Sequence, residues 1–223
     1  SFEKGNIKMT ARIIDEVMPS MEMLDMPKQV YGLLGLTQGL ILITGPTGSG
    51  KSTSLAAMID HINNFRSCNI VTFEDPIEFI FKPKKSIISQ RQLGTDMPDF
   101  ASGLRHVLRQ DPNVIMVGEM RDLETISTAI TLAETGHLVL ATLHTCNASQ
   151  TIDRIIDIFP PHQQNQIKSQ LSLILSAVIS QILVPGVNGG RVAVREVLLN
   201  NSAVSNLIRE QKIAQIRSVI ETH

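Results

Sequence analysis

The chain has no tryptophan and a single tyrosine, Tyr31, so its aromatic side chains amount to that residue and seven phenylalanines in 223 residues. Single-stranded nucleic acid is held largely by stacking bases on aromatic rings, and there is little here to stack on. An excess of positive charge is also missing: 20 Lys and Arg stand against 21 Asp and Glu, for a net charge of −1. Phosphate backbones and anionic membranes are recognised through basic fields, so no nucleic-acid partner is expected. The two cysteines, Cys68 and Cys146, are too few and too far apart for a zinc ribbon and predict reduced intracellular thiols. Long apolar runs are absent as well. The most apolar stretch, residues 171–184, is broken by Ser172, Ser176, Ser180 and Gln181 and falls short of the roughly 20 residues a membrane-spanning helix needs. No transmembrane segment is expected. Ser1 opens the chain without an initiator Met or a signal-peptide layout, which suggests a cytoplasmic protein or an excerpt of one.

What is present is an alternation. From Gly39 onward, short apolar runs at 40–44, 69–73, 86–90, 114–117 and 137–142 are separated by longer segments of helical spacing. Phe100, Leu104, Val107 and Leu108 form one such face, and Ile126, Ala129, Ile130 and Ala133 another. This is the pattern of an α/β fold with a mostly parallel sheet and crossover helices. Beyond it, Ile167, Leu171, Ile174, Leu175, Val178 and Ile182 continue at helical spacing and predict one helix ending at Pro185. A strand is expected over 191–199 and a short helix over 202–212 with Ser202 as its N-cap. Before Gly39, residues Ile7, Met9, Ala11 and Ile13 alternate with polar ones as a strand would, and Pro19 and Pro27 punctuate a connector. A lone strand has nothing to pair with, so it is expected to belong to a preceding domain. The boundaries are then 1–15 for that residual strand, 16–38 for the connector and 39–223 for the main domain.

Gly45-Pro46-Thr47-Gly48-Ser49-Gly50-Lys51-Ser52 fits the P-loop pattern in full and lies between an apolar strand and a helix starting near Lys51. Its glycines let successive backbone N–H groups converge on phosphate oxygens, and the helix N-terminus adds positive potential. Lys51 is expected to reach the β- and γ-phosphates of ATP and Ser52 to ligate Mg²⁺, with Thr53 completing the site. Hydrolysis needs a further group to orient or deprotonate water. Glu119, closing the apolar segment 114–118 in the Walker B place, is the candidate, although Gly118 stands where that motif usually carries its Mg²⁺-linked Asp. A plain ion pair between Glu119 and Arg121 is the alternative.

Glu74, Asp75 and Glu78 follow a second strand. Ligands of open α/β sheets gather at strand carboxyl ends, so one of these acids can serve Mg²⁺ in place of the absent aspartate. His137 and His144 flank the segment 138–143; their separation is not that of a zinc motif, and beside phosphate they can sense the γ-phosphate or hold water.

Taken together, the Walker A residues, the acidic box at 73–78, the glycine-containing Walker B and the His box at 136–144 resemble the secretion ATPase superfamily. The resemblance is closest to its PilT-like branch, the retraction (twitching-motility) ATPases of type IV pili. It implies a RecA-like core preceded by a PAS-like domain, a homo-hexamer with ATP between neighbours, and catalytic roles for Glu78, Glu119, His137 and His144, Glu78 also assisting Ser52 with Mg²⁺. Arg12 occupies the place of an inter-subunit arginine, and Arg105 and Arg109, four apart on one helix, are further candidates. It further implies pilus platform proteins as partners and a peripheral position at the inner face of a bacterial cytoplasmic membrane. Residues 203–210 are similar to a retraction-linked motif of that branch but carry Val204 and Ser205, the latter in place of an arginine. The four-cysteine insertion of extension and type II secretion ATPases is missing, so retraction is preferred over those alternatives. A nucleotide-binding regulatory subunit with little turnover is a second alternative, disfavoured by the presence of both Lys51 and Glu119, and a nucleic-acid translocase a third, disfavoured by charge and aromatic content.

Overall fold

The computed structural model describes residues 2–3, 6–7, 17–187 and 189–221. Two short strands, β1 (Phe2–Glu3) and β2 (Asn6–Ile7), pair with each other antiparallel. Apart from Ile7, the strand expected over 7–13 lies outside the described residues, as does Arg12. Next come α1 (Lys28–Leu33), β3 (Gly39–Thr44), α2 (Lys51–Phe65), β4 (Asn69–Glu74), β5 (Ile87–Gln92), α3 (Phe100–Val107), β6 (Val114–Val117) and α4 (Leu123–Glu134). β7 (Leu138–Leu143), α5 (Ala148–Asp157), α6 (Pro161–Ile174), β8 (Leu175–Pro185), β9 (Arg191–Leu199), α7 (Ser202–Arg209) and α8 (Ile216–Glu221) complete the order.

The main sheet has seven strands in the order β5-β4-β6-β7-β3-β8-β9, and every neighbouring pair is parallel except β8 with the edge strand β9. Side chains of a strand point alternately to its two faces, and β3 is buried on both. Leu40 and Leu42 join Phe73, Leu104, Ile130 and Leu171 on one side, while Ile41 and Ile43 join Val30, Leu55, Met58 and Ile62 on the other. Helices thus cover both faces, as a sheet built from crossover units requires. Met21, Met26, Val30 and Leu34 are buried in the second of these cores, so the segment expected only to connect is packed onto the domain.

The apolar stripe from Ile167 to Ile182 divides where a single helix was expected. Helix α6 stops at Ile174, Leu175 turns extended at φ −61° and ψ 123°, and residues 175–185 form β8, paired with β3 and β9. Between Leu175 and Gln181 every residue but Ser176 is buried. A strand covered on both faces shows no polar alternation, so its Leu, Val and Ile positions coincided with helical spacing. The helix expected over 202–212 is likewise shifted: Asn201, not Ser202, is the N-cap of α7, its side chain accepting from the Val204 N–H at 3.0 Å, and the helix ends at Arg209.

Candidate active site

Because the central strands run parallel and in register, Thr44 pairing with Leu143 and Phe73 with Val117, which itself pairs with Ala141, their carboxyl ends reach one edge together. Gly45, Asp75, Gly118 and His144 are the residues that emerge there. A cleft of about 580 Å³ opens at this edge, lined by the phosphate loop and α2 on one side and by the acids at 74–78, Gly118, Glu119, Arg121, Thr142 and His144 on the other.

The loop geometry follows from its glycines. Gly48 and Gly50 have φ of 78° and 83°, the left-handed region that side-chain-bearing residues seldom enter, and Gly50 caps α2 with no side chain competing for the first-turn N–H groups. Those donors are free to meet an anion. Ser49 Oγ is buried without a hydrogen-bond partner among the described residues. Lys51 Nζ donates to Gly45 O at 2.9 Å and to Pro46 O at 3.0 Å, which folds its ammonium over the loop; burial pulls its pKa below the usual lysine value, against the opposing attraction of Glu119.

From Lys51 a continuous polar chain crosses the cleft. Lys51 Nζ lies 3.4 Å from His144 Nδ1, and His144 Nε2 lies 3.0 Å from Glu119 Oε1. A lysine can only donate, so Nδ1 accepts and the Nε2–H tautomer serves both contacts. Glu119 Oε2 accepts from Arg121 Nη2 at 2.8 Å, and Arg121 Nη1 lies 3.6 Å from Asp75 Oδ2. Burial pushes the Glu119 carboxyl up, but the hydrogen bonds from Arg121 and His144 and the charge of Arg121 outweigh it, so the net shift is downward. The group is therefore ionised at neutral pH, and each oxygen has lone-pair capacity left for water. The Arg121 pairing read from sequence as an alternative to a site role coexists here with a place in the cleft.

Gly118, where an aspartate is usual, has a steric explanation. Its N–H donates to Phe73 O at 2.7 Å, and a Cβ at this position would stand 3.0 Å from Phe73 O and 3.4 Å from the Cα of Glu74. A side chain here would have to push the backbone at the end of β4 aside. The carbonyl of Gly118 accepts a short hydrogen bond from Thr142 Oγ1, fixing the peptide that leads to Glu119.

Among the acids after β4, Glu74 is buried and its Oε1 accepts from Thr72 Oγ1 at 2.6 Å and Gln90 Nε2 at 2.9 Å. Burial raises its pKa in spite of those bonds. Glu78 and Ser52 face the same cleft. No group of three or more His, Cys, Asp or Glu able to hold a metal occurs among the described residues. Mg²⁺ is usually held by one or two protein oxygens together with phosphate oxygens, and Ser52 and Glu78 are the candidate side chains for it.

The structure does not bring every expected residue into this cleft. His137 precedes β7 while His144 follows it, so extended chain of about 20 Å, at about 3.3 Å per residue, separates them. His137 Nδ1 instead lies 3.0 Å from Leu132 O, closing the end of α4. Arg105 and Arg109 are exposed and do not line the cleft; Arg105 pairs with Glu124. Conversely, Thr142, Leu183 and Arg191 line it and Gln181 buttresses it, none of them singled out from sequence. The acidic boxes had motif order to reveal them, whereas these four reach the site only through strand pairing.

The chain is 50% identical over 211 residues to the type IV pilus retraction ATPase PilT of Pseudomonas aeruginosa, covering 95% of this chain and 61% of that protein. It is 52% identical over 212 residues to a twitching motility protein of Neisseria gonorrhoeae, covering 95% and 57%. A crystal structure of the pilus retraction motor PilT with bound ADP superposes with a TM-score of 0.92 at 53% identity, covering 95% of this chain and 62% of that one. The chain thus spans about three fifths of the length of these relatives. With residues 18–223 matching its family profile, the chain belongs to the type II/IV secretion system protein family.

Proposed function

We propose that this chain is the ATPase core of a type IV pilus retraction motor that binds Mg²⁺ and ATP in the cleft under the phosphate loop. The observation that carries the reading is the polar chain Lys51–His144–Glu119–Arg121, which joins the phosphate-binding lysine to an ionised carboxylate across an open cleft. The loop N–H groups and Lys51 hold the polyphosphate, and Glu119 orients and deprotonates the attacking water. His144 couples the two by contacting both, so a change at the γ-phosphate reaches Glu119 through one imidazole. Mg²⁺, held by Ser52 with help from Glu78, would neutralise phosphate charge.

The motor is proposed to act as a homo-hexamer with ATP between neighbours. Exposed Arg105 and Arg109, together with Arg12, are candidates for phosphate contact from an adjacent subunit; an exposed ion pair such as Arg105 with Glu124 contributes little stability, about 1 kcal/mol or less, and is readily given up. Residues 1–15 are assigned to the end of a PAS-like domain and 16–38 to the connector. The names of the relatives, a type IV pilus retraction ATPase and a twitching motility protein, support a role at type IV pili; pilus platform proteins at the inner face of the cytoplasmic membrane are the partners and place this reading assigns. No helix among the described residues is long and apolar enough to cross a bilayer.

The test uses the full-length protein. Glu119→Gln should bind Mg-ATP within about threefold of wild type and lose steady-state phosphate release by 10²-fold or more, the range of general-base contributions, while Lys51→Ala should lose binding. Undiminished turnover in Glu119→Gln refutes the role of Glu119; retained binding in Lys51→Ala refutes the site.

A further inference from the structure

The phosphate loop rests on a side chain that belongs to none of its motifs. Gln181, on β8, is buried. Its Nε2 donates to Ser49 O at 2.7 Å, and its Oε1 accepts from Ser54 Oγ at 2.8 Å and from Arg195 Nε at 3.4 Å. Its backbone carbonyl closes on the start of the loop, where a Cβ on Gly45 would stand only 2.1 Å away. One residue therefore touches the loop at its beginning, at Ser49 and at the first turn of α2.

Arg195, opposite Gln181 in the β8–β9 register, carries the contact outward. Its Nη1 donates to Leu24 O at 2.9 Å and lies 3.3 Å from Asp25 O. Those carbonyls belong to a turn closed by Leu24 N to Ser20 O and Met26 N to Met21 O, with Asp25 at φ 47°, a conformation uncommon for a residue with a side chain. The turn does not line the cleft. A guanidinium is a planar fork with fixed donor directions, so Arg195 sets the spacing between the Gln181 amide and this turn.

We propose that Gln181 and Arg195 are positioning residues that tie the phosphate loop to the turn at 20–26, coupling phosphate binding to the ordering of that turn. The proposal rests on the nucleotide-site reading above. A phosphate loop binds only while several N–H groups converge on one spot, and Gln181 holds the Ser49 carbonyl out of that convergence. Coupling between sites is reciprocal: if the turn favours the binding form of the loop, nucleotide favours the turn by the same factor. With one long contact in the relay, a factor of about 5 to 10 is expected, at the low end of the usual range.

Hydrogen exchange on the full chain, with and without Mg-ADP, tests this. Mg-ADP should slow exchange at 45–53 in wild type and in Arg195→Met, but at 20–26 in wild type alone. Arg195→Met should raise the ADP Kd about 5- to 10-fold, and Gln181→Met with Arg195→Met should raise it no further than Gln181→Met by itself. Protection at 45–53 with none at 20–26, an unchanged Kd in Arg195→Met, or additive effects overturns the coupling and leaves the nucleotide site standing. Absence of protection at 45–53 in wild type instead refutes the nucleotide site itself.

Discussion

Replacing Gly118 with aspartate introduces the acid that P-loop enzymes commonly carry at the end of this strand into a tight position. The new Cβ would press on Phe73 O at 3.0 Å, a backbone atom that already accepts from the Gly118 N–H at 2.7 Å and would have to give way by a few tenths of an ångström. Forcing extra atoms into a packed position costs about 1–3 kcal/mol. The reduced freedom of the unfolded chain returns about 0.4–1 kcal/mol, since Gly118 does not need a positive φ. For Gly118→Ala the net loss is about 0–2.6 kcal/mol. For Gly118→Asp it is about 2–3 kcal/mol, because the carboxylate also arrives beside Glu74 and Glu119. At about 2–4 °C per kcal/mol for a chain of this size, Gly118→Asp should melt about 4–12 °C lower. Calorimetry with a parallel phosphate-release assay measures both consequences, and turnover should fall as Glu119 is displaced. An aspartate variant that melts like wild type and hydrolyses faster would show that steric pressure does not explain the glycine.

Gly45→Ala, at φ 145° and with a Cβ 2.1 Å from Gln181 O, should weaken ADP affinity by tenfold or more in a fluorescence titration. Glu74→Gln keeps an oxygen for Thr72 and Gln90 while removing a buried charge. Because the folded pKa of Glu74 is raised above 4.5, the wild type loses stability as pH rises through that folded value, so the variant's relative stability in urea should grow with pH. Glu119 has the opposite sign. Its folded pKa is lowered, so its stabilisation is present above 4.5 and lost as pH falls through the folded value. Arg121→Gln, which removes a donor holding it down, should move the acid limb of the turnover profile to higher pH. Asn201→Ala, deleting the α7 cap, should cost about 1 kcal/mol in urea denaturation.

The motifs were legible because each is short and chemically constrained. Gly45 to Ser52, Glu119 and the acids at 74–78 are separated by predictable strand and helix lengths, so parallel strands had to bring them to one edge. In the sequence His137 and His144 read together as the two ends of one His box flanking a strand; with β7 extended between them, they stand at opposite ends of that strand. The stripe ending at Ile182 was misassigned because burial on both faces erases the alternation by which a strand is recognised.

The sequence by itself determined the α/β fold class, the phosphate loop and the acids that face it, since these depend on local pattern and on where a parallel strand must end. Tertiary structure alone decided that β8 and β9 extend the sheet, that His144 and not His137 reaches the cleft, that Gly118 lies tight against Phe73 O, and that Gln181 and Arg195 link the loop to a turn 170 and 171 positions from Arg195 in the chain. Those outcomes depend on strand pairing and close packing between distant segments, and no local pattern carries that information.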